Sequence, residues 1–410
     1  MLRRNDAQLL AISLLALAGC SQQKPEPDPT PERPAVASRV VEDTAANTEL
    51  PATTDASDDP FVLIGSAERR GPRDLVIVAV GDVSQPATQW VEDTERLQDK
   101  VFEPTRHLTT SGDLAFMNLE NPVTELRPKA KKTYAFTSPP ERLDWYFKAG
   151  FNMYSLANNH IADADQPGID KTIEHLEEYA RKNGMHAYHA GAGKTPEEGL
   201  GPRYFKPEGK DLMVAFFSLG FGANENVGKF WDEALESKIR EADEKADLVI
   251  VSSHAGKEYK HLPEKDLQER YRSWVDWGAD LVIGHHTHCI RPVEVYESGL
   301  IYHSLGNYVF MSRTVRHRKM GAKLYGMLTR IVVVDGRVAG AEIWPTWVNN
   351  SDDWEIDGQR IPNAGFVPQL LQGPFAAQYF RDLNEWARKS GATEVTVDGD
   401  VGHVRIPGPK

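Results

Sequence analysis

From Asp74 onward the chain alternates short, continuous apolar runs with longer stretches of mixed polarity. Leu75 to Val80 is one such run, and its unbroken apolar character predicts a strand buried on both faces. Similar runs recur at Leu114 to Met117, Met153 to Leu156, Leu212 to Phe217, Leu248 to Val251 and Leu281 to Ile283. Between several of them lie helix-like segments: Gln89 to Leu108, Pro140 to Ala149, Gly168 to Asn183, Asp232 to Ala246 and Pro263 to Gly278. Strand and helix in alternation predict an α/β fold with helices covering the sheet. After Pro292 the rhythm changes. Val293 to Tyr296, Leu300 to His303, Met327 to Val334 and Val338 to Trp344 read as consecutive strands, the expected second sheet of a four-layer α/β/β/α sandwich. The domain is expected over 73–348, followed by a 349–410 extension that packs on it and carries a helix from Pro374 to Ser390.

The N-terminus has a different character. Arg3 and Arg4 precede an apolar run, Leu9 to Ala18, that is too short to span a bilayer as a stable helix. The run ends Leu17-Ala18-Gly19-Cys20, which resembles the bacterial lipobox. That resemblance implies a signal peptide over 1–20, cleavage before Cys20 and a lipidated cysteine. Several acyl chains, at roughly 0.8 kcal/mol per buried methylene, then give a stable membrane anchor. By analogy with sorting rules in diderm bacteria, Ser21 after the cysteine favours the outer membrane. Residues 21–72 are rich in Pro, acidic and small residues, so they bury too little surface to repay ordering and read as a tether.

Composition narrows the partners. The 410-residue chain carries a net charge of −13, which argues against nucleic acid as a partner. If an anionic polymer is bound, local Arg/Lys clusters or metal cations must carry the recognition. The two cysteines, Cys20 and Cys289, cannot build a disulfide framework.

Polar residues suited to metal binding recur where the predicted strands end. They are Gly81-Asp82, Asn118-Leu119-Glu120, Asn158-Asn159-His160, Ser253-His254 and Gly284-His285-His286-Thr287-His288. Ligands of open α/β sheets bind at that end of the strands. Carboxylates, an amide and imidazoles without thiolate suit one or two divalent ions such as Zn, Mn or Fe. His286 and His288, two apart on an extended segment, are expected to face one cluster.

The order Asp, acidic residue, Asn-His, His, His-x-His resembles the calcineurin-like metallophosphoesterase superfamily, and the detailed wording is similar to its CapA (poly-γ-glutamate capsule synthesis) family. The carriers are Val80-Gly81-Asp82-Val83, Asn118-Leu119-Glu120-Asn121-Pro122, Ser155 through Asp163, Gly191-Ala192-Gly193, His254 through Tyr259, Gly278 through His288, and Ser304 through Phe310. The resemblance spans about Asp74 to Trp347 and implies a metallophosphoesterase-like sandwich. It further implies that Asp82 and His288 bind a first metal, that Glu120 bridges, and that Asn159, His254 and His286 bind a second. A carboxylate between two cations offsets their repulsion. His160 would face the scissile group as a proton donor. Asn118, Asn158, Asp163, Glu258, His285 and Asn307 are expected to support the ligands or touch substrate.

Three departures bear on that reading. Ser84 stands where the superfamily usually has a histidine, Glu120 replaces the usual aspartate, and Asp163-Ala164-Asp165 replaces an Asp-aromatic-Gly. The first metal therefore has one imidazole fewer than usual, and one ion or two both remain open. His303 stands where tyrosine is frequent. His107, His175, His186, His189, His261, His317 and His403 read as ordinary packed histidines, and Trp344, Trp347 and Trp354 as packing rather than a binding platform. Arg313, Arg316, His317, Arg318 and Lys319 form a basic cluster just past the Ser-Leu-Gly-Asn motif.

Two functions follow from the resemblance. One is a lipid-anchored envelope protein serving synthesis or export of a capsule-type anionic polymer, in a complex with synthase or export partners. The other is a metal-dependent hydrolase of a phosphate ester or γ-glutamyl amide.

Overall fold

The computed structural model describes residues 71–86, 98–222, 224–310, 315–348, 353–363, 365 and 367–407. The signal peptide, Cys20, the tether as far as residue 70 and Arg313 lie outside these residues.

Two large sheets carry the fold. The first begins with the parallel series β1 (Leu75–Ser84), β2 (Leu114–Leu119), β3 (Met153–Ser155) and β4 (Tyr188–Ala190). The second contains β5 (Arg203–Phe205), β6 (Val214–Leu219), β7 (Leu248–His254), β8 (Leu281–His285), β9 (Val293–Tyr296) and β10 (Gly299–Tyr302), in the spatial order β5-β6-β7-β8-β10-β9. Its β6, β7, β8 and β10 run parallel.

Residue alternation explains how the sheets meet. Leu75, Ile77 and Ala79 of β1 join Phe116, Phe216, Ile250 and Ile283 in one buried cluster shared by both sheets. Phe116 meets Phe216 edge-to-face at 6.0 Å across it. The intervening Val76, Val78 and Val80 face the other way and pack with residues of the helices Glu103–Thr109, Arg142–Lys148 and Asp165–Lys182. Likewise Ala215, Phe217, Val249 and Val251 pack under helices Leu235–Lys245 and Lys265–Asp276. Strands buried on both faces account for the unbroken apolar runs in the sequence.

The late strands do not extend the second sheet as a block, which corrects the expectation from the consecutive runs. Only β9 and β10 belong to it. The chain then crosses to the first sheet, where β11 (Asn307–Phe310) lies parallel to β1, with Asp82 opposite Asn307. β12 (Tyr325–Val334) pairs antiparallel with β1, and β13 (Arg337–Trp347) pairs with β12. The crossing is possible because two backbones nearly touch: a Cβ on Gly81 would lie 1.8 Å from the carbonyl oxygen of Gly306. Gly306 itself has φ +69°, in the left-handed region that glycine enters without steric cost.

β14 (Trp354–Ile356) and β15 (Gln359–Ile361) form a separate hairpin. β16 (Gln369–Leu370), β17 (Thr396–Asp398) and β18 (Val401–Arg405) complete the first sheet, with β18 beside β13. The helix Pro374–Ser390 starts on a proline and ends before Gly391 in the left-handed conformation, the asymmetry expected of a bounded helix. Its Phe375, Tyr379, Phe380 and Leu383 enter the inter-sheet cluster. Trp347 and Trp354 stack there at 4.7 Å, as packing residues. The predicted Gln89–Leu108 helix differs: the described part is a 3-10 turn, Gln98–Phe102, followed by the α-helix from Glu103, with Pro104 in its first turn. Among the described residues, no helix is long and apolar enough to cross a membrane.

Candidate metal centre

The C-terminal ends of parallel strands from both sheets converge on one buried point, the location at which open α/β sheets bind ligands. Asp82 lies near the end of β1, Glu120 follows β2, Asn158 to His160 follow β3, His254 closes β7, and His285 to His288 leave β8. Asp82, Glu120, His254 and His285 are completely or almost completely buried.

Two groups of donors share Glu120. Ligand atoms of Asp82, Glu120 and His288 all lie within 4.8 Å of one another. On the other side, Nε2 of His254 is 2.8 Å from Asn159 Oδ1, 3.1 Å from His286 Nδ1 and 3.7 Å from Glu120 Oε1. The residues assigned by resemblance to each ion thus fall into two adjacent groups.

Their neighbours orient them. Asn118 Nδ2 donates to Asp82 Oδ1 at 2.8 Å and reaches His254 Nδ1 at 3.1 Å. Asn307 accepts from His288 Nδ1 at 2.9 Å. Asn158 Oδ1 accepts from the backbone amides of His160 and Ile161, while its amide donates to the Leu119 carbonyl, tying the β3 loop to the β2 loop. His160 Nδ1 lies 2.8 Å from Asp163 Oδ2, and a donating Nδ1–H leaves Nε2 as the nitrogen available for proton exchange. His285 stacks on Phe116 at 5.4 Å, with Nδ1 3.5 Å from Asp82 Oδ1. Glu258 stands at the edge, 3.5 Å from the Arg316 guanidinium.

The His286–His288 segment is not extended, contrary to the sequence expectation. It forms a bend in which His286 has φ 82° and His288 φ 55°. Left-handed backbone at non-glycine residues is costly and is held here by its surroundings. The imidazoles still face the same cluster, with ring centroids 6.1 Å apart, but through a tight turn rather than strand alternation. Ser84 faces away from the cluster, its hydroxyl donating to Asn121 Oδ1 at 2.8 Å. His303 is a buried partner of Glu294 at 2.8 Å.

Electrostatically the centre lacks positive charge. Both Glu120 oxygens are buried without a hydrogen-bond donor. Burial, and then the negative Asp82, push the Glu120 carboxyl well above the usual range. Burial also acts upward on Asp82, but His285, His288 and Asn118 outweigh it and hold its carboxyl below the usual value. Burial followed by neighbouring imidazoles depresses His254 well below normal and His286 to about 3. Divalent metal binds such groups as neutral imidazoles and carboxylates, so binding here would displace the proton that the raised Glu120 carboxyl favours. An unpaired buried carboxylate is costly, and a cation among these oxygens and nitrogens offsets that cost. The donor set therefore fits one or two hard or borderline divalent ions.

Several contributors were not apparent from the sequence. Lys132 Nζ lies 2.6 Å from Asp163 Oδ1, 3.1 Å from His160 Nδ1 and 2.6 Å from the Asn159 carbonyl. His317, read as an ordinary packed histidine, donates from Nε2 to the His288 carbonyl at 2.6 Å and so supports the strained turn. Its place inside the basic cluster was the available signal. Phe221 packs edge-on against His286 at 4.8 Å. The wholly buried Arg291 guanidinium bonds both Glu264 oxygens, at 2.8 and 3.1 Å, and the carbonyls of Lys257 and Lys260. It fixes the loop after His254 against the segment that follows His288.

An α/β fold with a carboxylate–amide–imidazole centre at its strand ends defines a metallophosphoesterase-like class of protein. The sequence matches the family described as "Bacterial capsule synthesis protein PGA_cap" over residues 76–312, and the chain belongs to that family. It is 31% identical over 230 residues to the "PGA biosynthesis protein CapA" of Bacillus subtilis (strain 168), covering 54% of this chain and 59% of that protein. It is 30% identical over 227 residues to the "Capsule biosynthesis protein CapA" of Bacillus anthracis, covering 52% and 54%. The chain thus spans under two thirds of the length of these relatives. A crystal structure of a hypothetical protein from Thermus thermophilus is similar at a TM-score of 0.41 and 17% identity, covering 66% of this chain and 98% of that one.

Proposed function

We propose that this protein is a lipid-anchored envelope component that serves synthesis or export of a capsule-type, poly-γ-glutamate-like polymer, through a divalent-metal centre at Glu120. The observation that carries the metal is the Glu120 carboxylate: buried, beside Asp82, ringed by imidazoles and without a donor for either oxygen. Asp82, Glu120 and His288 would hold one ion, and Asn159, His254 and His286 with Glu120 a second. Bound there, the metal supplies Lewis acidity and a docking point for anionic oxygens. Family membership and the relatives' printed roles support the polymer context. The lipobox-like segment ending at Cys20 supports the anchor and an outer-membrane site in a diderm bacterium.

The decisive measurement is metal content of the purified full chain, together with poly-glutamate binding with and without metal. Stoichiometric Mn, Zn or Fe and polymer binding strengthened by the bound metal are expected; a chain that retains no divalent ion after exposure to them overturns the reading. Cys20→Ser is expected to move the protein from the membrane to the soluble fraction.

A second reading, hydrolysis of a phosphate ester or γ-glutamyl amide, is favoured by the His160–Asp163 pair. Asp163 holds Nδ1, which leaves Nε2 to deliver a proton to a leaving group. On this reading His160→Ala abolishes turnover while metal content stays unchanged; equal turnover in the variant sinks it.

A further inference from the structure

In a chain of net charge −13, one margin of the cleft is basic. Arg127, Lys129, Lys131 and Lys132 fall within six residues, and all four are exposed. The segment is tied down by a single buried residue. The backbone amides of Lys129 and Ala130 both donate to the Asp163 carbonyl, at 2.7 and 3.0 Å. Further along, the Phe136 amide donates to Asp163 Oδ2 at 2.7 Å, and Lys132 pairs with Asp163 Oδ1 at 2.6 Å. The residue that orients His160 therefore also fixes the basic segment beside it.

Lys131 and Lys132 line a groove of about 440 Å³ together with Asn158, Asn159, Gly222 and Asn224. Lys229 Nζ donates to the carbonyls of Gly222 and Asn224, at 2.8 and 2.6 Å, and holds that part of the lining. Asn159 belongs to both places: it lines the groove, and its Oδ1 lies 2.8 Å from His254 Nε2. The groove thus opens onto the imidazole cluster. Inside it the charges nearly balance, since Asp163 engages Lys132 and Asp165 also lines it. The excess positive charge lies on the segment that leads into the groove's rim, at the exposed Arg127 and Lys129, while Ala130, Lys131 and Lys132 line the groove itself.

We propose that this rim is a chain-binding subsite, gripping successive carboxylates of an extended polyanion whose engaged unit lies in the groove at the Asn159 end. The choice of a polycarboxylate rests on the proposed function above; the cationic rim itself does not. A rim of lysines on an acidic protein attracts a polyanion locally while the remaining surface repels it, and that attraction weakens as salt screens it.

The test uses the detergent-purified full chain with Lys129→Glu and Lys131→Glu combined. Binding of fluorescein-labelled poly-glutamate is measured by anisotropy in EDTA, over a series of salt concentrations. Wild-type binding that falls with salt, weakened about tenfold or more at low salt by the double reversal, is the expected result. The rise in melting temperature on adding Mn or Zn is expected to be the same in wild type and variant. Poly-glutamate binding that is indifferent to the reversal overturns the subsite. Binding of polyphosphate without poly-glutamate overturns its carboxylate preference. Loss of the metal response in the variant overturns its independence from the centre. Because binding is read in EDTA, a chain that takes up no metal leaves this measurement standing and refutes only the metal reading.

Discussion

Asp82 and Glu120 hold carboxylate oxygens within 4.8 Å of each other in a buried setting, and the Glu120 oxygens receive no hydrogen bond. Removing one of the two carboxyl groups should relieve the protein when metal is absent and harm it when metal is present. Glu120→Gln is therefore expected to raise stability in EDTA by about 1–2 kcal/mol, since an amide escapes the cost at neutral pH of a carboxyl whose pKa burial and Asp82 push well above its usual range. The same substitution should abolish stabilisation by added Mn or Zn, which arises from binding to the native state alone. Thermal melts with and without metal read both effects.

Asp163 gathers three donors: the Phe136 amide, His160 Nδ1 and the Lys132 ammonium. Asp163→Ala takes the acceptor from the half-buried Phe136 amide and from the buried His160 imidazole and removes the partner of Lys132, with an expected loss of about 2–4 kcal/mol in urea unfolding. Asp163→Asn keeps an acceptor and should recover part of that loss. Nitrogen NMR of the His160 ring separates the two variants from wild type, because the Nδ1–H tautomer loses its anchor in Ala.

His261 predicts a pH dependence away from the centre. Its Nδ1 donates to the Ile290 carbonyl at 2.8 Å, its Nε2 accepts from the Lys323 amide at 2.9 Å, and its ring stacks on Trp386 at 3.8 Å. Both nitrogens are committed in the neutral form, so protonation breaks the Lys323 bond. Burial pushes its pKa down to about 4. A histidine depressed in the folded state contributes stability that is full above about 6.5 and is lost as pH falls toward 4, at up to about 1.4 kcal/mol per unit. His261→Gln should be less stable than wild type at pH 7 and should lose less between pH 6.5 and 4, as measured by urea unfolding across that range.

Much of the fold was legible because its central strands are buried on both faces. Leu75 to Val80 and Leu248 to Val251 have no polar interruption and allow little other reading. The assignment of later strands to a sheet was not legible, since an apolar run looks alike whichever sheet receives it. The deciding feature is the backbone contact of Gly81 with Gly306, and nothing in a glycine announces its distant neighbour. At the centre, strand-end position pointed to Asp82, Glu120, Asn159, His254, His286 and His288. Their convergence followed, but the turn at His286–His288 did not, because left-handed backbone at histidine depends on outside support such as the bond from His317. Lys132 was hidden for a different reason: on an exposed loop, a lysine that reaches His160 reads the same as one that reaches water.

The crossing at Gly306 also sets the timing of assembly. Asp82 and Glu120 emerge early in synthesis, whereas β11, which lies against β1 and carries the Asn307 that holds His288, emerges late. Neither sheet alone contains both halves of the donor set. A nascent chain therefore presents scattered carboxylates and imidazoles rather than a gathered cluster. On the metal reading proposed above, ion capture would be a late event, and the metal available where the finished chain folds would decide what the centre holds.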